Sequence, residues 1–325
     1  MTDASAKFVV DPRDDGRTVA AVLRDALEAP PWSKVRALCT AGRVRVDGER
    51  ELDPARRVAA GTVIELDAPG GRVAAASEVT IHYVDTDVVV VDKPAGLLTV
   101  PFEPSDRDTL LHRVQIALRR RLGPGPALRV VSRLDKDTTG VVVFARSRRA
   151  ERFLQAQFRS HSVERRYMGL ALGHVQPATH RTFLVPNRGD GLRGSFHGGK
   201  LPPVARKAVT HVDVLRRYTV PATLRDGSLD TVTLVACRLE TGRQHQIRIH
   251  LAESGHPLVG ERVYIRDYRG GFVRGFTATE GRPMLHAAEL GFVHPADETL
   301  RRFASPWPED LQKLLEQLEE IPAAR

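Results

Sequence analysis

Between residues 128 and 145 the chain reads as an apolar run, a polar turn and a second apolar run. Leu128 to Val131 is followed by Arg133-Leu134-Asp135-Lys136-Asp137-Thr138-Thr139-Gly140 and then by Val141 to Ala145. Short Val-rich runs bounded by Asp, Thr and Gly are the pattern of buried strands joined by a tight connection. Such a pair of strands commits its surroundings to a sheet and leaves Asp135 in a rigid, cation-flanked turn. A carboxylate held there is a candidate nucleophile. The same residue types also favour turns on backbone grounds alone, because Asp and Thr side chains bond nearby amides and Gly tolerates positive φ. Taken by itself, the run therefore leaves a plain hairpin turn open.

The chain of 325 residues, 42% hydrophobic, is long enough for two domains or one large one with a real core. Its 49 Lys and Arg exceed its 40 Asp and Glu, for a net charge of +9. An excess of this kind fits a polyanion partner and fits a generic solvated surface equally, so the placement of the cations matters more than their sum. Two cysteines, Cys39 and Cys237, cannot build a four-thiolate zinc site or a disulfide framework, and their apolar contexts predict reduced, buried thiols. The first residues carry Asp3, Asp11, Asp14 and Asp15 and no apolar core of a signal peptide, and there is no run long enough to span a bilayer. The expectation is a soluble cytoplasmic protein with no membrane partner.

Two units are expected, a module over residues 1–70 and a larger domain over 79–325, joined by a linker at 71–78. The core of the module, about 15–67, has helical patterns at Thr18 to Leu27 and Lys34 to Thr40, a strand and turn at Val44 to Glu49, and a closing strand at Val63 to Leu66. Asp47-Gly48 is a strong hairpin signal. Lys34, Arg36, Arg43 and Arg45 form a basic edge suited to a phosphate backbone, or else ordinary exposed charge. From Val79 on, strands outnumber helices without regular βαβ alternation. That pattern predicts an α+β domain with a mainly antiparallel mixed sheet, flanking helices and loops. The glycine-rich stretch Pro186 to Lys200 reads as a mobile loop, either following a nucleic-acid backbone or without function.

Two further clusters could carry chemistry. Thr241 to Leu251 contains Gly242-Arg243-Gln244-His245-Gln246-Ile247-Arg248-Ile249-His250 after an apolar strand. Gly242 is expected to turn the chain into a helix, with Arg243, Ile247 and His250 on one face and Arg248 on a neighbouring one. His245 and His250 lack the spacing and adjacent Glu of a helical zinc site, so no metal is expected. In Glu164 to Met168, Tyr167 enters an apolar strand, where a core tyrosine and a base-stacking one read alike.

These three clusters, in this order, resemble the RluA-type branch of the pseudouridine synthases. Arg133-Leu134-Asp135 with Thr138-Thr139-Gly140 is similar to the family's central H-R-L-D-x-x-T-S-G motif, with Ser132 in place of His and Thr139 in place of Ser. Arg166-Tyr167 resembles its tyrosine motif, and Gly242 to His250 its G-R-x-H-Q-I-R-x-H motif. Asp92 to Leu97 is similar to an N-K-P-x-G-L segment. Gly255 to Gly260, Leu285 to Pro295 and Ser305-Pro306-Trp307-Pro308 resemble closing elements. Residues 15–67 separately resemble a small RNA-binding fold shared with a ribosomal small-subunit protein.

The resemblance implies a cofactor-free enzyme that isomerises uridine to pseudouridine in structured RNA, with ribosomal RNA favoured and transfer RNA possible; a monomer is the default expectation. Asp135 would be the nucleophile, Arg248 would pair with it and keep it ionised, and Tyr167 would pack on the base and move a proton. Arg133 would fill the stack vacated by the flipped nucleotide, with an ion pair to Asp135 or Asp137 as its structural alternative. Arg243 and His245 would contact RNA. A catalytically silent ribosome-assembly factor is the rival reading. A glycosidase is a second, weakened by the lack of another carboxylate.

Overall fold

The computed structural model describes residues 6–40, 43–51, 53–67, 79–103, 106, 108–276 and 281–322. The linker expected at 71–78 lies outside them. In chain order the elements are β1 (Ala6–Val9), a 3-10 turn (Pro12–Asp14), α1 (Val19–Ala26), α2 (Trp32–Thr40), β2 (Val44–Val46), β3 (Glu49–Glu51) and β4 (Val63–Leu66). They continue with β5 (Ile81–Val84), β6 (Val88–Lys93), α3 (Leu110–Leu122), β7 (Arg129–Val130), β8 (Thr139–Ala145), α4 (Arg148–Ser160), β9 (Glu164–Leu172), β10 (Ala178–Val185) and β11 (Gly194–Ser195). The last are β12 (Arg206–Thr219), β13 (Arg225–Asp226), β14 (Thr231–Leu239), α5 (Gln246–Glu253), β15 (Phe272–Val273), β16 (Leu285–Val293), β17 (Leu300–Ala304), α6 (Glu309–Glu316) and β18 (Glu319–Ile321).

Two compact units result. The first draws on residues 1–73 together with 102–107 and 185–204. Its antiparallel sheet has the order β1-β4-β2-β3. Thr18 caps α1 by accepting from the Ala21 amide at 3.2 Å, and the buried faces of α1 and α2 close one core with Val44, Val46, Ile64 and Leu66. Asp47 and Gly48 both take positive φ in the β2–β3 turn, as an Asp-Gly hairpin requires. The short strand β1, paired along β4, is an addition to the expected pattern. So is the membership of 102–107, where Arg43 donates to Glu103 at 3.0 Å.

The second unit holds 74–101, 108–184 and 205–325. Its sheet runs β10-β12-β14-β9-β16-β8-β6-β5, with β7 beside β8, β17 beside β16 and β18 beside β12. These strands pair antiparallel except for β8 with β16, which run parallel, Thr139 opposite His286 and Gly140 opposite Ala287. An α+β domain on a mainly antiparallel mixed sheet is thus what the chain builds. Strand β8 is buried along its whole length, and its Val, Phe and Ala side chains feed cores on both faces. α4 contributes Ala150 and Leu154 to one of these cores, and α3 contributes Leu110, Val114 and Leu118 to the other. α5 packs Ile247 and Leu251 with Tyr167 and Cys237.

Candidate active site

Asp135 lies in the connection from β7 to β8, and that connection is tied down on both sides of it, at Leu134, Lys136 and Asp137. Thr99 Oγ1 donates to the Leu134 carbonyl at 2.8 Å and accepts from the Leu134 amide at 3.1 Å. Lys93 Nζ donates to the Lys136 carbonyl at 2.6 Å and to the Pro94 and Leu97 carbonyls at 2.8 and 2.7 Å. Arg282 donates to the Asp137 carbonyl at 3.1 Å while forking onto Asp310 at 2.7 and 3.0 Å. The backbone on either side of Asp135 therefore cannot drift, while its side chain keeps 26% of its surface open. A carboxylate that is both fixed and reachable can attack or stabilise a sugar carbon without first being ordered.

Gly140 makes the approach possible. Its φ is +115°, and a Cβ there would lie 2.2 Å from the Ala287 carbonyl oxygen, so only glycine lets β8 reach β16 directly after the loop. Thr139 Oγ1 sits 2.9 Å from His286 Nδ1 on that neighbouring strand.

Around Asp135 stand side chains from two other clusters. Tyr167, on β9 opposite Cys237 and Ala287, has its phenol pushed up by burial, with the Asp135 charge adding to the shift and Arg165 opposing it. Arg248 is buried on α5. Burial opposes its charge, but Glu261, Tyr264 and Asp135 together hold the guanidinium protonated beyond its ordinary range. The pairing expected between Arg248 and Asp135 is replaced by a fork onto Glu261, from Nε at 2.7 Å and from Nη2 at 2.6 Å. A buried guanidinium needs a carboxylate in full hydrogen-bonding register, and the buried Glu261 supplies one.

The turn into α5 also departs from expectation. The helix begins at Gln246, so Arg243 precedes it and shares no helical face with Ile247 and His250. The left-handed residue in the turn is His245, φ 58°, and not Gly242. A Cβ at Gly242 would lie 2.5 Å from Arg165 Nη1, the mobile end of a long side chain, so a larger residue there would push that guanidinium aside. Gln246 locks the turn, accepting from Thr241 Oγ1 at 2.8 Å and the Arg243 amide at 3.0 Å while donating to the Val209 carbonyl at 3.0 Å.

Among the expected RNA contacts, Arg133 is exposed and has neither hydrogen bond nor ion pair with the described residues, so its structural alternative is not formed. Lys34 is exposed and Arg36 half-buried. Arg43 is a correction: it is buried, occupied by Glu103 and the Asp67 carbonyl, and braces the first unit from within. Arg45 is shared between Asp67 and the Gly48 carbonyl. Arg243 donates to the Lys207 carbonyl at 3.0 Å and stays partly exposed. His245 is turned inward, with Nε2 3.9 Å from Asp135 Oδ1 and Nδ1 2.7 Å from the Tyr264 hydroxyl.

Residues 87–253, which hold all three clusters, match the RNA pseudouridylate synthase family, and residues 18–64 match the S4 domain. The chain belongs to the RNA pseudouridylate synthase family. The synthase is 34% identical to the ribosomal large subunit pseudouridine synthase D of Xylella fastidiosa, across 94% of this chain and 90% of that one. It is also 34% identical to the enzyme of the same name from Zymomonas mobilis, across 73% and 72% of the two chains. The fold is shared with human RNA Pseudouridylate Synthase Domain Containing 4, at a TM-score of 0.58 and 24% identity over 75% of this chain and 95% of the other. The synthase is thus an isomerase acting on RNA, carrying an S4 domain ahead of its catalytic domain.

Sequence reasoning passed over Glu261, Tyr264 and Arg282. Glu261 follows Gly255 to Gly260 directly, and a carboxylate in an apolar stretch is the one signal that could have marked it as the partner of a buried cation.

Proposed function

We propose that the synthase isomerises uridines of large-subunit ribosomal RNA in the cytoplasm, working as a monomer, with Asp135 as nucleophile. One observation carries the assignment. A part-exposed carboxylate stands on a braced backbone, and its charge reaches both the part-buried Tyr167 phenol and the buried Arg248 cation. In the reaction the bond from the ribose to the uracil nitrogen breaks, the base turns, and a bond from the same ribose carbon to a ring carbon forms. The proton lost at that ring carbon is matched by one gained at the nitrogen, so substrate and product are isomers. Asp135 supports the sugar while the base is detached. Tyr167 packs against the base and is kept as the neutral phenol, able to hold or move a proton. Arg248, held by Glu261, contributes a fixed positive charge to the site.

The target nucleotide has to leave its stack, at a cost of a few kcal/mol. Arg133, exposed and without a partner among the described residues, is assigned to fill the gap with its planar guanidinium. Arg243 from the α5 turn and Lys34 and Arg36 of the S4 domain contact phosphates. The ribosomal target is supported by the S4 domain and by the names of the relatives.

The test uses protein-free ribosomal RNA and bulk transfer RNA from a strain lacking the gene, with new pseudouridines mapped by carbodiimide-dependent reverse-transcription stops. Stops on large-subunit RNA made by the wild type and not by Asp135→Asn are the expected result. Stops on transfer RNA alone would move the substrate, and an active Asp135→Asn would remove the nucleophile assignment.

A further inference from the structure

His245 and Tyr264 form a pair with no part in the mechanism above. His245 holds a left-handed backbone conformation, uncommon for a residue with a Cβ. Its side chain is 9% exposed, too enclosed for a phosphate contact. The ring stands between two groups: Nδ1 is 2.7 Å from the Tyr264 hydroxyl, and Nε2 is 3.9 Å from Asp135 Oδ1. A carboxylate facing Nε2 favours a proton on that nitrogen. In the neutral ring Nδ1 is then the acceptor, and the Tyr264 hydroxyl donates to it.

Tyr264 is itself fixed from behind. The Arg248 guanidinium lies 5.4 Å from the centre of its ring, and its amide donates to Glu261 Oε1 at 3.4 Å. The His245 and Tyr264 rings meet edge to face with centroids 5.7 Å apart. A connected path therefore runs from the buried Glu261–Arg248 pair through Tyr264 and His245 to the carboxylate.

We infer that His245, oriented by the Tyr264 hydroxyl, is a positioning residue for the Asp135 carboxylate and not an RNA contact. This rests on the reading of Asp135 as the nucleophile. The imidazole N–H holds one carboxylate oxygen and leaves the other free to face the sugar carbon. The separation of 3.9 Å shortens to a hydrogen bond when the site closes on RNA, as catalytic contacts commonly tighten on substrate binding.

The experiment measures single-turnover rate at saturating enzyme and, separately, RNA affinity by filter binding, using the full chain and the RNA segment modified by the wild type. His245→Ala is expected to slow the chemical step about 100-fold, with affinity changed less than about threefold. His245→Gln, whose amide N–H falls near the place of Nε2, should recover about tenfold of that loss. Tyr264→Phe should slow the step about tenfold alone and add nothing in the His245→Ala background, because the inference has the hydroxyl act on Asp135 through the imidazole. Weakened RNA binding with an unchanged rate in His245→Ala would make the residue an RNA contact and overturn the inference. So would an unchanged rate in Tyr264→Phe, a variant that keeps the ring and the fold, or additive losses in the double variant. Asp135→Asn is run alongside. If it stays active, the nucleophile reading fails and the inference falls with it. If it is inactive while the His245 and Tyr264 variants are fast, only the inference fails.

Discussion

Arg248 forks onto Glu261 through two hydrogen bonds of 2.7 and 2.6 Å, and both side chains are buried. Burial alone would raise the Glu261 carboxyl, but the charge and hydrogen bonds of Arg248 outweigh it and bring it down from 4.5 to about 2. Removing one partner of such a pair strands the other, so Glu261→Gln should cost about 3–5 kcal/mol of stability at neutral pH. The carboxyl is depressed in the folded state. Its contribution is therefore full above about 4.5 and fades as pH falls toward about 2. Urea unfolding at pH 7 and pH 3 should find the wild type losing ground on Glu261→Gln at the lower pH. A constant gap would show that the pair does not carry the linkage.

Gly140 cannot be replaced without moving a strand. With φ at +115° and the Ala287 carbonyl oxygen 2.2 Å from the place a Cβ would take, Gly140→Ala sets backbone strain and a backbone clash at the parallel junction of β8 and β16. The expected destabilisation is more than about 4 kcal/mol, the range reserved for special backbone positions and core clashes. Circular dichroism melts and soluble yield will register it. A variant with the wild-type melting temperature would mean that β8 and β16 separate freely.

Lys93 offers a pH signature of its own. Burial lowers its ammonium from 10.5 to about 7, against the raising influence of Asp137 and Asp135. Between those values the unfolded chain binds a proton that the folded chain does not, so this group makes stability rise with pH from about 7 to about 10.5. Lys93→Met removes that slope and orphans the carbonyls of Pro94, Leu97 and Lys136, loosening the Asp135 loop. Unfolding free energies at pH 7 and pH 9 should diverge between wild type and variant as pH rises. The variant's modification rate should fall about tenfold or more with RNA affinity kept. Parallel stability curves would contradict the assignment.

Much of this was written in local pattern. Asp47-Gly48 announces its hairpin because few residues tolerate two successive positive φ values, and β9 runs over Glu164–Leu172 as its apolar stretch from Tyr167 onward suggests. The Arg133 to Gly140 run marks its own loop. What stayed hidden is long-range. No local pattern says that Arg248 will choose a carboxylate 13 positions on, in Glu261, over Asp135. Likewise Arg43 looks like any helix-flanking cation until Glu103 arrives from a distant segment. The left-handed His245 was missed because Gly242, three residues earlier, is the residue that sequence rules nominate for such a turn.

Arg133 separates binding from folding. It is exposed and without a partner among the described residues, so Arg133→Ala should leave stability within about 0.5 kcal/mol of the wild type. Its guanidinium is assigned to the stack that a flipped uridine vacates, and stacking of a planar group is worth about 1–3 kcal/mol. The variant should therefore lose roughly tenfold to a hundredfold in kcat/KM on folded ribosomal RNA. On a short unstructured oligonucleotide carrying the same uridine there is no stack to refill, and the loss should shrink to the few-fold expected of one phosphate contact. Equal losses on both substrates would assign Arg133 to backbone binding alone.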